Sequence, residues 1–384
     1  MPIRFAHISL VALAAIIIPG AVAQDVKLPP TITLTAYDTG SSGFNMAVAI
    51  GKAMKDKHGT DVRVLPAGND VARLGPLKGG RAQASAMGIG VYFAQEAVFE
   101  FAVKEWGPQP LRLMLASGSC NAISLGVAAD TGVKEVKDLK GKRVGMVVGS
   151  PALNQNALAV IAFGGLTQKD VKLVEFSSYG AMWKGMVNNE VDAAIASNIS
   201  GQAKELEASP RGVVFPQTPH ADTAGWARLN KLGPYYIPQK STCGLGASKE
   251  KPADLPNYPY PIFIAYASQS ADVIHGVTKS MIVNYAAYKD AAPGADGFEL
   301  ARQKLSWVLP YHEGAVRAMR EAGVWKAEHD AHQQAVLKRQ SVLADAWAGY
   351  MKTNPPEAAD AFRKGWMAAR ADALKKAGME SVFE

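Results

Sequence analysis

Three short junctions near the start of the chain carry the residues best suited to chemistry. They are Asp38-Thr39-Gly40-Ser41-Ser42-Gly43, Ala67-Gly68-Asn69-Asp70 and Met87-Gly88-Ile89-Gly90, each set between a β-like segment and an apolar-striped helical one. At such a junction the first helical N–H groups have no partner inside the helix and sit at the positive end of its dipole. Several such ends gathered along one edge of a parallel sheet make a site for a carboxylate or similar anion. The candidate ligand residues follow from this placement. Thr39, Ser41, Ser42 and Asn45 stand at the first junction, Asn69 and Arg73 at the second, and Tyr92 after the third. Ser150, Asn154, Tyr179, Trp183 and Asn198 hold similar positions later in the chain. Capping and turn chemistry uses the same residue types, so the grouping carries the expectation rather than any one member.

Arg73 is the sharpest of these. Counted from Asp70 as the helix cap, it falls in the first turn, where a cation is unfavourable toward the dipole and its presence asks for a reason. A guanidinium bent into a cleft would meet a carboxylate with two parallel hydrogen bonds. The alternative is an arginine that runs along the helix to solvent. Trp183 and Tyr179 would supply an apolar wall or simply belong to the core.

Catalytic constellations are absent from the sequence. Gly40-Ser41-Ser42-Gly43 is one residue short of a nucleophile elbow, no phosphate loop occurs, and Gly88-Ile89-Gly90 lacks the third glycine of a dinucleotide fingerprint. The His/carboxylate cluster Glu328-His329-Asp330-Ala331-His332 has the wrong spacing for a zinc helix and reads as a solvated face. No enzyme, metal or cofactor is therefore expected.

The elements around the junctions alternate strand and helix. Thr31–Ala36, 62–65 and 82–87 read as strands, with helices over 44–58, 71–78 and 92–103, the pattern of a parallel sheet covered on its faces. Two strand-like runs then follow each other directly at 111–116 and 122–128, and the alternation resumes with strands at 142–148, 171–176 and 191–196. We read residues 119–245 as a second lobe, entered near 117–121 and left at the glycine-rich 242–246. Residues 24–118 and 246–325 form the discontinuous first lobe. Two crossings between two α/β lobes make a hinged clam with its cleft at the strand ends. Beyond about residue 326 the chain reads as a helical hairpin with Phe362, Trp366 and Leu374 on one stripe. That stripe packs on its own lobe in a monomer, or on a second copy in a dimer.

Residues 1–23 read as a signal peptide: Arg4, an apolar run from Ile8 to Ile18, and the small-residue site Ala21-Val22-Ala23. The apolar run is about half the roughly 20 residues a spanning helix needs. The formal charge of +7 is spread along the chain without a basic, aromatic-interleaved stripe, so nucleic acid is not an expected partner. Cys120 and Cys243 are the two cysteines. An exported chain permits a disulfide between them, and two separate buried thiols are the other reading.

Three stretches resemble a known family, the TAXI-type solute receptors of tripartite ATP-independent periplasmic (TRAP) transporters. They are the first junction leading into 47–51, Asp138-Leu139-Lys140-Gly141-Lys142-Arg143-Val144, and Leu309-Pro310-Tyr311-His312-Glu313-Gly314-Ala315. The resemblance spans about residues 31–325, so the tail takes nothing from it. It implies a type II periplasmic-binding fold that closes on a small organic acid and docks on membrane permease subunits. Ser41-Ser42, Phe44 and Arg73 depart from the family pattern. A receptor of the same fold serving an ABC importer, for a sulfonate or similar anion, is the rival expectation.

Overall fold

The computed structural model describes residues 26–383. The signal peptide expected over 1–23 lies outside the described residues.

The first lobe opens with β1 (Thr31–Ala36), α1 (Ser42–His58), β2 (Asp61–Pro66), α2 (Asp70–Lys78), β3 (Ala84–Met87), α3 (Gly90–Glu96) and β4 (Leu111–Ala116). The chain then enters a second lobe with β5 (Ile123–Ala128), β6 (Arg143–Val147), α4 (Pro151–Phe163), β7 (Lys172–Phe176), α5 (Tyr179–Val187), β8 (Ala193–Ser197), α6 (Gly201–Ala208), β9 (Val213–Val214) and α7 (Thr223–Leu232). An antiparallel ribbon of β10 (Ile237–Ser241) and β11 (Ala253–Asn257) follows. Residues 258–261 lead back to β12 (Ile262–Tyr266) in the first sheet, then α8 (Ala271–Val283), α9 (Tyr285–Tyr288) and α10 (Glu313–Glu321). The glycine-rich stretch 242–246 forms part of the ribbon's loop.

Each lobe is built on a five-stranded sheet of the same plan. The first has the order β2-β1-β3-β12-β4 and the second β7-β6-β8-β5-β9. In both, three parallel strands are joined by an antiparallel strand contributed across a lobe crossing, β12 in one and β5 in the other. This is the two-lobed type II periplasmic-binding architecture. Strand β1 shows how the sequence sets it: Ile32, Leu34 and Ala36 alternate inward and are almost fully buried.

A helical extension, α11 (Ala327–Met351) and α12 (Ala359–Lys376), packs back on the first lobe. Phe362 and Trp366 are buried, and the Trp366 indole donates to the carbonyl of Ala97 at 2.7 Å. The apolar stripe that left packing and pairing open is thus covered by its own chain. Below it, the fully buried Glu96 carboxylate is gripped by Arg339 (2.7 and 2.8 Å) and by Arg370 (2.5 Å). The two arginines come from different helices of the extension, so this one carboxylate ties both to α3.

Two expectations need correction. The helix after β3 ends at Glu96 rather than near 103, because Ala97 and Phe99 take left-handed backbone that breaks it. The cap of α2 is Asn69, whose side chain accepts from the Ala72 amide at 2.8 Å, which leaves Asp70 free for other work.

Among the described residues, no helix is long and apolar enough to cross a membrane.

Removing one partner of a buried ion pair costs about 3–5 kcal/mol. Glu96→Gln is therefore expected to lower the unfolding free energy by that amount, read from the denaturant midpoint. A surface substitution such as Glu357→Gln should change it little.

A second expectation concerns acid. His312 caps α10 through Nδ1, which accepts from the Gly314 amide at 3.2 Å. Burial holds its imidazole below the usual range, partly opposed by the neighbouring Glu313. Below about pH 6.5 the unfolded chain takes up this proton and the folded one does not, so stability falls as pH drops through that window. His312→Asn keeps a capping acceptor and should flatten the decline of Tm there.

Candidate functional site

The carboxyl ends of the parallel strands in the two sheets face each other across the lobe boundary. Main-chain hydrogen bonds span it: Val71 N to Gly149 O at 3.2 Å, Tyr179 N to Gly68 O at 3.0 Å, and Gly201 N to Gly40 O at 3.0 Å. Such close approach needs glycine. A Cβ on Gly68 would fall 2.4 Å from Cβ of Ser178 on the opposite lobe.

Two carboxylates of the first lobe reach into helix ends of the second. Asp38 Oδ2 accepts from the Gly180 amide at 2.7 Å, at the start of α5. Asp70 Oδ2 accepts from the Ala152 amide at 2.8 Å and the Ser150 hydroxyl at 3.3 Å, at the start of α4. Helix α6 begins on the Gly40 carbonyl. The N-termini of α4, α5 and α6 are therefore all met by acceptors of this protein, and two of those acceptors carry charge.

Arg73 lies behind Asp70 and is fully buried. It pairs with Asp70 Oδ1, donates to the Ala67 carbonyl at 3.2 Å, and lies 3.3 Å above the ring centre of Tyr37. Burial pushes the Asp70 carboxyl upward in pKa, while Arg73, the Ala152 amide and Ser150 pull it down. The cation expected to reach into the cleft is thus neutralised within its own helix, three residues from its partner. That pairing supplies the reason for a cation in the first turn.

Between the lobes lies a cavity of about 20 Å³, the space of roughly one water. Tyr37, Ser42, Tyr258 and Tyr260 line it from one side, and Leu153, Asn156, Tyr179 and the segment Ile195–Ser197 from the other, with Ile123 at its base. No charged side chain is among them. The rings of Tyr37 and Tyr260 are 5.8 Å apart, and those of Tyr37 and Tyr179 6.2 Å, both edge to face. Asn156 donates to the Tyr258 hydroxyl at 3.0 Å and accepts from Tyr235 at 2.8 Å. The Tyr260 hydroxyl lies at the Gly43 amide and the Ser42 hydroxyl. Burial pushes Tyr260 up to about 12 and raises Tyr179 and Tyr258 as well, so these phenols stay protonated and can donate.

The residues singled out in the sequence divide plainly. Ser42 and Tyr179 line the cavity. Ser150 touches Asp70, and Arg73 backs Tyr37. Ser41 and Asn69 cap helices, with Ser41 accepting from Phe44 N at 3.2 Å. Thr39 and Asn45 are exposed at the rim, where the Thr39 carbonyl accepts from Gln202 at 2.9 Å. Asn154 bonds both main-chain groups of Val147 and is part of the second lobe's frame. Trp183 is a core residue whose indole donates to Ile195 O at 3.3 Å over Gly126. Tyr92 turns away altogether and packs against Phe383 of the tail, ring centres 5.2 Å apart, because α3 presents that face to the extension.

The hinge holds the remaining pair of features. Ser117 and Pro261 exchange contact through Ser117 N to Pro261 O at 3.0 Å, and Tyr260 N donates to Ser117 O at 2.8 Å, so the two crossings brace each other. Cys120 and Cys243 are joined by a disulfide with Cα atoms 5.5 Å apart. Asn198 accepts from Ala122 N at 2.9 Å and donates to the carbonyls of Cys243 and Leu245, stitching this cross-link to the end of β8.

The tyrosines at 37, 258 and 260 are residues that sequence reading missed. Asn257-Tyr258-Pro259-Tyr260-Pro261 looks like a proline-rich loop, and its signal was two aromatics spaced to share one side of an extended crossing. A wider groove of about 540 Å³ lies on the outer face of the second lobe. Two of its three basic residues are engaged: Lys137 pairs with Glu135, and Arg228 donates to the carbonyls of Ala162 and Phe163. Among the described residues, no group of three or more His, Cys, Asp or Glu is placed to hold a metal ion.

Residues 34–323 match the NMT1-like family, which covers both lobes and both crossings. The chain belongs to that family. The helical extension lies beyond the matched residues. No curated protein matches. Among solved structures, this NMT1-like chain is similar to the alkanesulfonate-binding protein SsuA from Xanthomonas axonopodis pv. citri bound to MOPS. The two share 17% identity over 84% of this chain and 94% of that one, with a TM-score of 0.42. It is also similar to the periplasmic aliphatic sulphonate binding protein SsuA from Escherichia coli, with 16% identity over 92% and 90% of the two chains and a TM-score of 0.40.

Hydrogen bonds to charged groups contribute about 1.5–3 kcal/mol each. Asp38→Asn, which removes the charge at α5, should shift the protein toward an open form by an energy of that size. Small-angle scattering should record a larger radius of gyration for the variant. An unchanged radius would show that Asp38 does not hold the lobes together.

Proposed function

We propose that this protein is an exported solute receptor. It closes its two lobes on a small polar organic solute and hands it to the membrane subunits of a TRAP-type secondary transporter. The observation that carries the reading is the meeting of two sheets, carboxyl end to carboxyl end, around a tyrosine-lined cavity spanned by two chain crossings. Ligand in such a place bridges the lobes and shifts an open–closed equilibrium by its preference for the closed state. Each lining group has a part in this: the phenols of Tyr179, Tyr258 and Tyr260 and the Asn156 amide offer hydrogen bonds, while Leu153 and the tyrosine rings offer apolar walls.

The permease partner is proposed on the resemblance of residues 309–315 to the TAXI receptors, residues that lie inside the NMT1-like match. The small carboxylate anticipated in the sequence rested on the gathered helix ends and on Arg73, and Arg73 is paired with Asp70. The rival, a sulfonate receptor for an ABC importer, shares the fold and differs in solute and partner.

Thermal-shift screening against organic acids, amino acids, sulfonates and uncharged amides and phenols tests the reading. A solute at 100 times its Kd stabilises the folded state by about 2.7 kcal/mol, enough to raise Tm measurably. Asn156→Ala should weaken the same solute by roughly tenfold, the size of one lost hydrogen bond. No stabilisation by any class, or stabilisation indifferent to Asn156, would overturn it.

A further inference from the structure

A binding cleft that takes anions must offer positive charge or free helix ends, and this one has spent both on itself. We infer that Asp70 is the specificity-determining residue of the cleft: it fills the place a ligand carboxylate would take, so the receptor selects solutes without negative charge. The inference rests on the receptor reading above and names its solute class.

The geometry is direct. One oxygen of Asp70 pairs with the Arg73 guanidinium, and the other accepts from Ala152 N and Ser150 Oγ on the opposite lobe. Those are the two kinds of donor a bound carboxylate needs, a guanidinium and a helix N-terminus. Both belong to different lobes, and Asp70 bridges them as a ligand would. Gly90 leaves the room for it, since a Cβ there would lie 2.7 Å from the Asp70 carboxyl carbon. A second positive helix end facing the cleft, that of α5, is taken by Asp38. What remains exposed to the cavity is phenol, hydroxyl, amide and hydrocarbon, with no charged side chain. An anion brought there would lose its hydration and gain no countercharge. An uncharged solute with hydroxyl, amide or aromatic groups meets partners for each.

Removing the built-in carboxylate should reverse the preference. Calorimetric titration with glutarate is expected to show no binding to the unaltered protein at millimolar concentration. Asp70→Ala, which frees Arg73 and the start of α4, should bind glutarate at least tenfold more tightly than the unaltered protein. The double variant Asp70→Ala/Arg73→Gln should lose that gain. If Asp70→Ala does not fold, Asp70→Ser, which also withdraws the carboxylate from that place, is used instead, and the same gain is expected of it with the same dependence on Arg73. Glutarate binding by the unaltered protein that is lost in Arg73→Gln would overturn the inference while leaving a working receptor. Absence of any gain in the folded Asp70 variant would overturn it as well. Failure of the receptor reading shows separately, as the absence of every solute response in the screen of the unaltered chain.

Discussion

The closed arrangement of this molecule depends on carboxylates of one lobe seated on helix ends of the other. A buried charge is costly unless its oxygens are all engaged, and the partners here come from both sides of the boundary. Asp70 needs Arg73 from its own helix and Ala152 from the far lobe. Asp38 needs the first turn of α5. Neither carboxylate would be so placed if the junctions did not gather at one edge of each sheet. The strand order puts them there, Gly68 lets the two lobes come close, and Gly90 leaves room for the Asp70 carboxyl.

Around this contact the other features take their roles. The tyrosines fill the space between the charged contacts and the hinge, and they stack edge to face rather than leaving an open hollow. The hinge itself is short. Ser117, Tyr260 and Pro261 hold the two crossings side by side, while the disulfide and Asn198 bind the beginning of the second lobe to the ribbon that leaves it. The contacts between the lobes near the crossings are thereby gathered into a few residues.

Much of the fold could be read from the residues. The strand over 31–36 appears at the boundaries its alternation indicates, and the direct succession of β4 and β5 marked the first crossing because no helix pattern separates them. The ribbon escaped notice for a physical reason: Pro238 and Pro256 sit inside its strands, where proline is tolerated on edges but hides the usual pattern. The tail was legible as a hairpin from its stripe, although what it covers depends on Glu96, a side chain with no local signature. The strand-end junctions do meet across the lobe boundary, and of the polar residues picked out there few line the cavity between the lobes. Polar residues at junctions mostly satisfied backbone, as with Asn69 and Asn154. The groups that face the cavity are large rings whose burial depends on contacts distant in sequence. Arg73 shows the limit most clearly, since spacing to Asp70 was visible while the competition between internal and external partners was not.

The extension has one more consequence, and it concerns size rather than recognition. Helix α11 alone runs 25 residues, about 37 Å of rod, and with α12 it is riveted to the first lobe through Glu96. That makes the first lobe the heavy anvil of the pair and the second lobe the lighter jaw. On the receptor reading proposed above, closure would bring the smaller jaw against an anvil braced from outside by the extension.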